Sequence, residues 1–312
     1  MPVFKFPFHG YSVKFSPFIE TRLAVATAQN FGIIGNGRQL VLDLTPGGMV
    51  SPVGFDTSDS AYDCAWSESN ENLLASATGD GSIKLWDVAS SSLLVNLHEH
   101  TREAHSIDWN PTRKDSFLSA SWDDTLKLWA EGRMQSIRTF REHSYCVYSA
   151  AWNPRHPDVF ASASGDCTMR VWDVREPNST MIIPAHEGEI LTCDWNKYND
   201  CVIASGAVDN SIKVWDVRSY RAPIAVLMGH RYAVRRVKFS PHSEGMIASC
   251  SYDMTVCAWE YRAEDALVAR YDHHTEFALG VDMSVLVEGL LASTSWDQAV
   301  YVWQHGTDPR AS

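Results

Sequence analysis

Basic residues are scarce in this 312-residue chain: 26 Lys and Arg face 38 Asp and Glu, for a formal net charge of −12. That balance argues against a nucleic-acid backbone as principal ligand and favours basic partners. No apolar run is long enough to span a bilayer and no basic-plus-apolar leader is present, so direct membrane insertion is not expected and a cytoplasmic start is. The seven cysteines are odd in number and form no CxxC pair, which fits buried thiols in a reducing compartment better than disulfides. GxSxG, HExxH, Walker and Rossmann patterns are also missing. Without a recognisable nucleophile or phosphate cradle, catalysis is not expected, and the sequence implies neither cofactor nor metal.

What is present keeps time. Hydrophobic strands end in Trp86, Trp129, Trp172, Trp215, Trp259 and Trp303, separated by 43, 43, 43, 44 and 44 residues. Trp-Asp stands at three of the six, Trp86-Asp87, Trp172-Asp173 and Trp215-Asp216. A period of this size with this dipeptide resembles WD-repeat propeller blades of four strands each. With 45% hydrophobic residues and repeats running almost end to end, residues 1–312 read as one all-β domain.

Six residues before each Trp lies an Asp: Asp80, Asp123, Asp166, Asp209, Asp253 and Asp297. A Ser precedes each Asp by four residues (Ser76, Ser119, Ser162, Ser205, Ser249, Ser293), and in five repeats a His precedes it by 23 (His100, His143, His186, His230, His274). The WD-repeat resemblance implies that these types join inside each blade, Asp holding His, His touching Ser, Ser reaching the Trp indole. Such a bond contributes ~1.5 to 3 kcal/mol, and stranding a buried charge costs ~3 to 5 kcal/mol. Metal or acid/base sites are the competing reading. It is disfavoured because each pair belongs to a different blade, so no two would share an ion.

A seventh, degenerate blade opens the chain. Gly37–Leu44 aligns with Gly81–Val88, putting Leu42 at the Trp position, and YSVKFSP from Tyr11 to Pro17 resembles RRVKFSP from Arg235 to Pro241. Phe15 lies 27 residues before Leu42 whereas Trp109 lies 20 before Trp129, so about seven residues are inserted, assigned to Ala28–Gly35 as a widened hairpin. The nine residues after Trp303 are too polar to form a strand. Val3-Phe4-Lys5-Phe6 alternates as one should, and is expected to complete the last blade and remove its open edge.

Several stretches are not generic blade consensus. They are Gly10–Pro17, Leu23–Gly37 (with ATAQNFG), Ile183–His186 (IPAH), Glu189–Tyr198, Ala233–Pro241, Ala248–Asp253 and His273–Phe277 (HHTEF). They resemble the peroxin seven family, receptors for the type-2 peroxisomal targeting signal, and its plant members in particular. The resemblance implies capture of matrix proteins through an N-terminal signal, Arg-Leu-x5-His-Leu, and delivery to the peroxisome. It also implies a co-receptor, the long form of the type-1 signal receptor, and a peroxisomal docking complex. Residues seven apart share a helix face, so the signal would pair two Leu on one stripe with Arg and His beside it.

In WD blades the residues three and five after the His, and the one before the Asp, point to the top face. Here these are Glu103, His105 and Trp122; Cys146, Tyr148 and Gly165; Glu189, Leu191 and Val208; Ala233, Arg235 and Tyr252; Phe277, Leu279 and Trp296. Strand alignment adds Ser60, Tyr62 and Gly79, then His9, Tyr11 and Gly35. The aromatic members, with Leu191, are expected to form an apolar floor for the Leu stripe, and Glu103, Glu189 and nearby Asp59 to face the signal's basic residues. Aromatics that merely pack on one another and hydrated glutamates are the plainer alternative. Two WDxR tetrapeptides, ending in Arg175 and Arg218, leave open a substrate receptor of a cullin-type ubiquitin ligase; a static scaffold is the other alternative. The terminal Arg310-Ala311-Ser312 is not a type-1 signal of the SKL form, so peroxisomal entry would depend on association.

Overall fold

The computed structural model describes residues 3–310, which build seven four-stranded antiparallel sheets arranged as blades. The reading of Arg310–Ser312 as lacking a type-1 signal thus falls partly outside the described residues. Blade one runs His9–Phe15, Arg22–Ala28, Gly37–Thr45 and Gly48–Thr57. Innermost strands of blades two to seven start at Ala61, Ala104, Val147, Ile190, Val234 and Ala278. The second strands read LLASAT, SFLSAS, VFASAS, VIASGA, MIASCS and LLASTS in those six blades. Their Ala and Ser lie between larger residues of adjacent blades, and small side chains there let the sheets approach to close-packed density. Between blades two and three, for example, Ala75, Ala77 and Ile83 pack with Ile107, Trp109, Phe117 and Trp129.

Blade seven is completed from the other end of the chain. Val3, Phe4 and Lys5 pair antiparallel with Tyr301, Val300 and Ala299, and Phe6 packs with Val13, Phe15, Leu40 and Val302 across the seam. The closing strand is where the alternation placed it.

Four of the five expected His networks are complete. In blade three His100 Nδ1 lies 2.9 Å from Asp123, its Nε2 2.7 Å from Ser119, and Trp129 donates to Ser119 at 2.8 Å. Blades four, five and six repeat this through His143, His186 and His230. The Asp also fixes its turn: Oδ1 of Asp123 accepts the Thr125 N–H at 3.1 Å, holding Asp124 at φ 66°.

Blade seven departs from the expected pattern. Ser293 is taken by both His273 and His274, at 2.9 and 2.8 Å, and no hydrogen bond from the described residues reaches Trp303 Nε1. The doubled His supplies a second ring that packs against the indole, 4.9 Å between centroids, in place of the Ser contact. Blade two has Thr57 in place of the network His; Gln39 of blade one approaches Ser76 at 3.2 Å instead, and Asp80 takes Thr78, Ser82 and Lys84.

The networks differ in charge. Burial opposes protonation of His230, but Asp253 and Cys257 outweigh it and raise the imidazole to about 9. A raised folded pKa means that its contribution is fully present below the unfolded value of ~6.5 and lost as pH rises through about 9. His273 is pushed down to about 2 by burial and then by His274, so its contribution is present above ~6.5 and lost as pH falls. Melting temperature should therefore decline on both sides of neutrality. In His230→Gln the alkaline limb should flatten relative to the unsubstituted chain, and an unchanged limb in calorimetry would reject this assignment.

Candidate functional site

Every innermost strand carries a register irregularity at the same level. The residues skipped by the ladder are Tyr11, Tyr62, His105, Tyr148, Leu191, Arg235 and Leu279. A bulge frees one residue from pairing and re-aims its side chain, and here seven bulges direct seven side chains to the top of the channel. They interlock. Tyr11 and Tyr62 meet edge to face at 5.1 Å, Tyr62 stacks on His105 at 4.5 Å, and His105 stacks on Trp122 at 4.7 Å.

Across the channel, Arg235 Nη2 donates to His105 Nδ1 at 3.3 Å. Burial, then the Arg235 charge, holds His105 well below the ordinary imidazole value, leaving it neutral and able to accept. The channel therefore ends in a packed plug with a guanidinium at its centre, and the top face lies shallow over that plug. Tyr11, Tyr62, His105 and Leu191 are buried in it; they support the face from below.

Trp122, Tyr148, Tyr252, Phe277 and Trp296 remain half-buried and accessible. Tyr252 stacks on Phe277 at 4.9 Å, and Phe277 lies 5.2 Å from Trp296, giving an apolar arc over blades six and seven. The acids sit elsewhere on the rim. Asp59 and Glu103 both lie close enough to Tyr62 to raise its hydroxyl further after burial has done so. Glu189 accepts from Tyr148 Oη at 2.7 Å. All three carboxylates are partly exposed.

Sequence reasoning missed part of this face. Tyr145 and Tyr232, each two residues after a network His, are 50% and 62% exposed; that position was not among those assigned to the top. The hairpin insertion is where counting placed it, between Ala28 and Gly37, but it does more than widen a turn. Tyr11 Oη donates to the Phe31 carbonyl at 2.6 Å and Tyr62 Oη to that of Gly32 at 2.9 Å. Phe31 packs against His9 at a tilt, 4.0 Å between centroids, and meets Trp296 edge to face at 5.2 Å. Asn30 and Phe31 hold φ of 45° and 59°, a conformation costing ~1 to 3 kcal/mol per non-glycine residue. Gly32 follows at φ +69°, where a Cβ would come within 2.4 Å of Tyr11 Oη.

Comparison with known proteins agrees with this architecture. Residues 53–87 and 91–130 match the family described as WD domain, G-beta repeat, and residues 131–259 match the EIPR1 beta-propeller. Over 113 residues this chain is 68% identical to Peroxisome biogenesis protein 7 of Arabidopsis thaliana, covering 35% of this chain and 36% of that protein. It is 53% identical over 104 residues to the Peroxisomal targeting signal 2 receptor of Dictyostelium discoideum, covering 32% and 33%. For the Homo sapiens protein of the same name the values are 46% over 101 residues, 32% and 31%. Each match thus spans about a third of the relative's length. The Dictyostelium discoideum and Homo sapiens relatives are named as receptors.

A concavity of about 260 Å³ opens at the opposite end of the channel. Its three aspartates hold neighbouring blades together. Asp108, Asp194 and Asp282 accept the N–H of Trp152, Phe239 and Phe15 in the next blade, each at 2.8 Å, and Asp194 also binds Lys197 and Lys238. Arg175 and Arg218 of the WDxR tetrapeptides fold back on Asp173 and Asp216, at 2.5 and 2.6 Å. Among the described residues no cluster of three or more His, Cys, Asp or Glu could hold a metal ion.

Proposed function

We propose that this chain is a cargo receptor that captures the type-2 peroxisomal targeting signal, Arg-Leu-x5-His-Leu, on the top face of its propeller. The observation carrying the reading is one rim that joins an apolar aromatic arc (Trp296, Phe277, Tyr252) to separate partly exposed carboxylates (Asp59, Glu103, Glu189). A helix with a Leu stripe and basic flanks is complementary to it in both respects. The names of the matched relatives support the same role. Capture occurs in the cytosol and is followed by delivery to the peroxisome matrix through the docking complex.

A helix of two to three turns covers less than the ~1,200 Å² of a standard interface, and ordering a flexible segment costs ~2 to 5 kcal/mol. Binary capture is therefore weak. A co-receptor, by resemblance the long form of the type-1 signal receptor, covers the outer side of the helix and slows its release. Glu103→Arg and Glu189→Arg are each expected to weaken capture of a labelled signal peptide at least tenfold, since a like charge replaces the paired one. Fluorescence anisotropy measures the affinity and circular dichroism checks the fold. Unchanged affinity in both variants removes the acidic edge from the site; a peptide with Arg changed to Glu is the control.

A further inference from the structure

The insertion between Ala28 and Gly37 ends in two adjacent apolar residues, Ile33 and Ile34, that are 84% and 72% exposed. Single exposed apolar residues are ordinary. This pair is different because the segment carrying it is fixed in place: two buried tyrosine hydroxyls hold its carbonyls from below, His9 and Trp296 clamp Phe31, and Asn30 and Phe31 keep positive φ. Backbone held in a sparsely populated conformation by its surroundings is a mark of functional segments. An exposed apolar tip on such a base retains its position on binding, so contact costs little ordering entropy.

Its neighbours identify the occupant. On one side Phe31 continues the apolar arc of Trp296, Phe277 and Tyr252. On the other, Gly37 at the foot of the insertion packs so closely on the Asp59 carbonyl that a Cβ would stand 2.6 Å from it, and Asp59 and Glu103 both act on Tyr62. The tip therefore stands at the border between apolar and acidic sectors. We infer that the 29–36 insertion is the wall against which the signal helix lays its Leu stripe, turning the helix so that its basic side meets Asp59 and Glu103. This rests on the proposed capture of that signal, and it assigns specificity for the apolar stripe to Ile33 and Ile34.

The test is a double-mutant cycle with the full chain and a fluorescein-labelled Arg-Leu-x5-His-Leu peptide. Ile33→Ser/Ile34→Ser should weaken binding at least tenfold while leaving the melting temperature unchanged, because neither side chain is buried. Changing both Leu of the peptide to Ala should weaken binding to the unsubstituted chain, yet add little to the loss in the serine variant, since the two changes remove one contact. Full additivity, or unchanged affinity of the serine variant, overturns the inference while leaving the receptor reading intact. So does a loss seen only after a co-receptor fragment is added, which would make the tip that partner's contact. Failure of the unsubstituted chain to bind the peptide overturns both.

Discussion

Removing residues 1–8 is expected to abolish cooperative folding of the ring. The truncation deletes the outer strand of blade seven, with its three residue pairs to Ala299, Val300 and Tyr301. It also removes Phe6, which is buried, and Phe4 and Phe8, which pack against the seam between blades one and seven. Loss of one buried Phe costs ~3 to 5 kcal/mol, and a domain's whole net stability is ~5 to 15 kcal/mol. The exposed edge of the preceding strand then becomes a template for pairing with other chains. Phe6→Ala separates the two contributions: it keeps the ladder and should cost ~3 to 5 kcal/mol by itself. Circular dichroism melts and light scattering measure both, and a truncated chain melting within a few degrees of the complete one would refute closure by this strand.

The second large effect lies in the channel. Asp63 is buried and accepts from Ser12 Oγ at 2.6 Å and from the Ile107 N–H at 3.2 Å, while Arg236 approaches within 3.2 Å. Burial works against its charge, but Arg236, then Lys14 and the two hydrogen bonds, bring the carboxyl down to about 2. Asp63→Ala should cost ~3 to 5 kcal/mol, because it strands a buried guanidinium and unpairs two donors from neighbouring blades. Replacing the ion pair with two apolar residues of similar volume should cost much less. Since the folded pKa is depressed, the contribution of Asp63 is present above ~3.9 and lost as pH falls toward 2. Urea unfolding at pH 7 and pH 3 measures it: a difference between the two chains that is as large at pH 3 as at pH 7 would exclude ionisation of Asp63 as its source.

The blades were legible because the residues that define them recur at fixed separations, and the four complete networks each close within one blade. The first blade could be aligned without its Trp since Leu42 keeps the same apolar spacing. The plug was not legible. His105 and Arg235 are 130 residues apart, and nothing local to either reveals that a bulge in each strand aims both at one axis. For the same reason Tyr11, Tyr62 and Leu191 read as surface residues, while the ring closes over them. Trp303 shows the opposite failure: the pattern promised a Ser contact, but His273, visible in the sequence beside His274, already occupied that oxygen. The exposed apolar tip of the insertion stood in the sequence as well, with no blade counterpart against which its direction could be judged.

The seam between Val3 and Tyr301 also has a kinetic meaning. The Val3–Lys5 strand waits for a partner about 300 residues downstream, which at ~5 to 20 residues per second takes about 15 to 60 s of translation. Until then the nascent chain holds six finished repeats and a bare edge, a species suited to chaperone custody. Any release from synthesis before the last repeat yields a chain that cannot close upon itself.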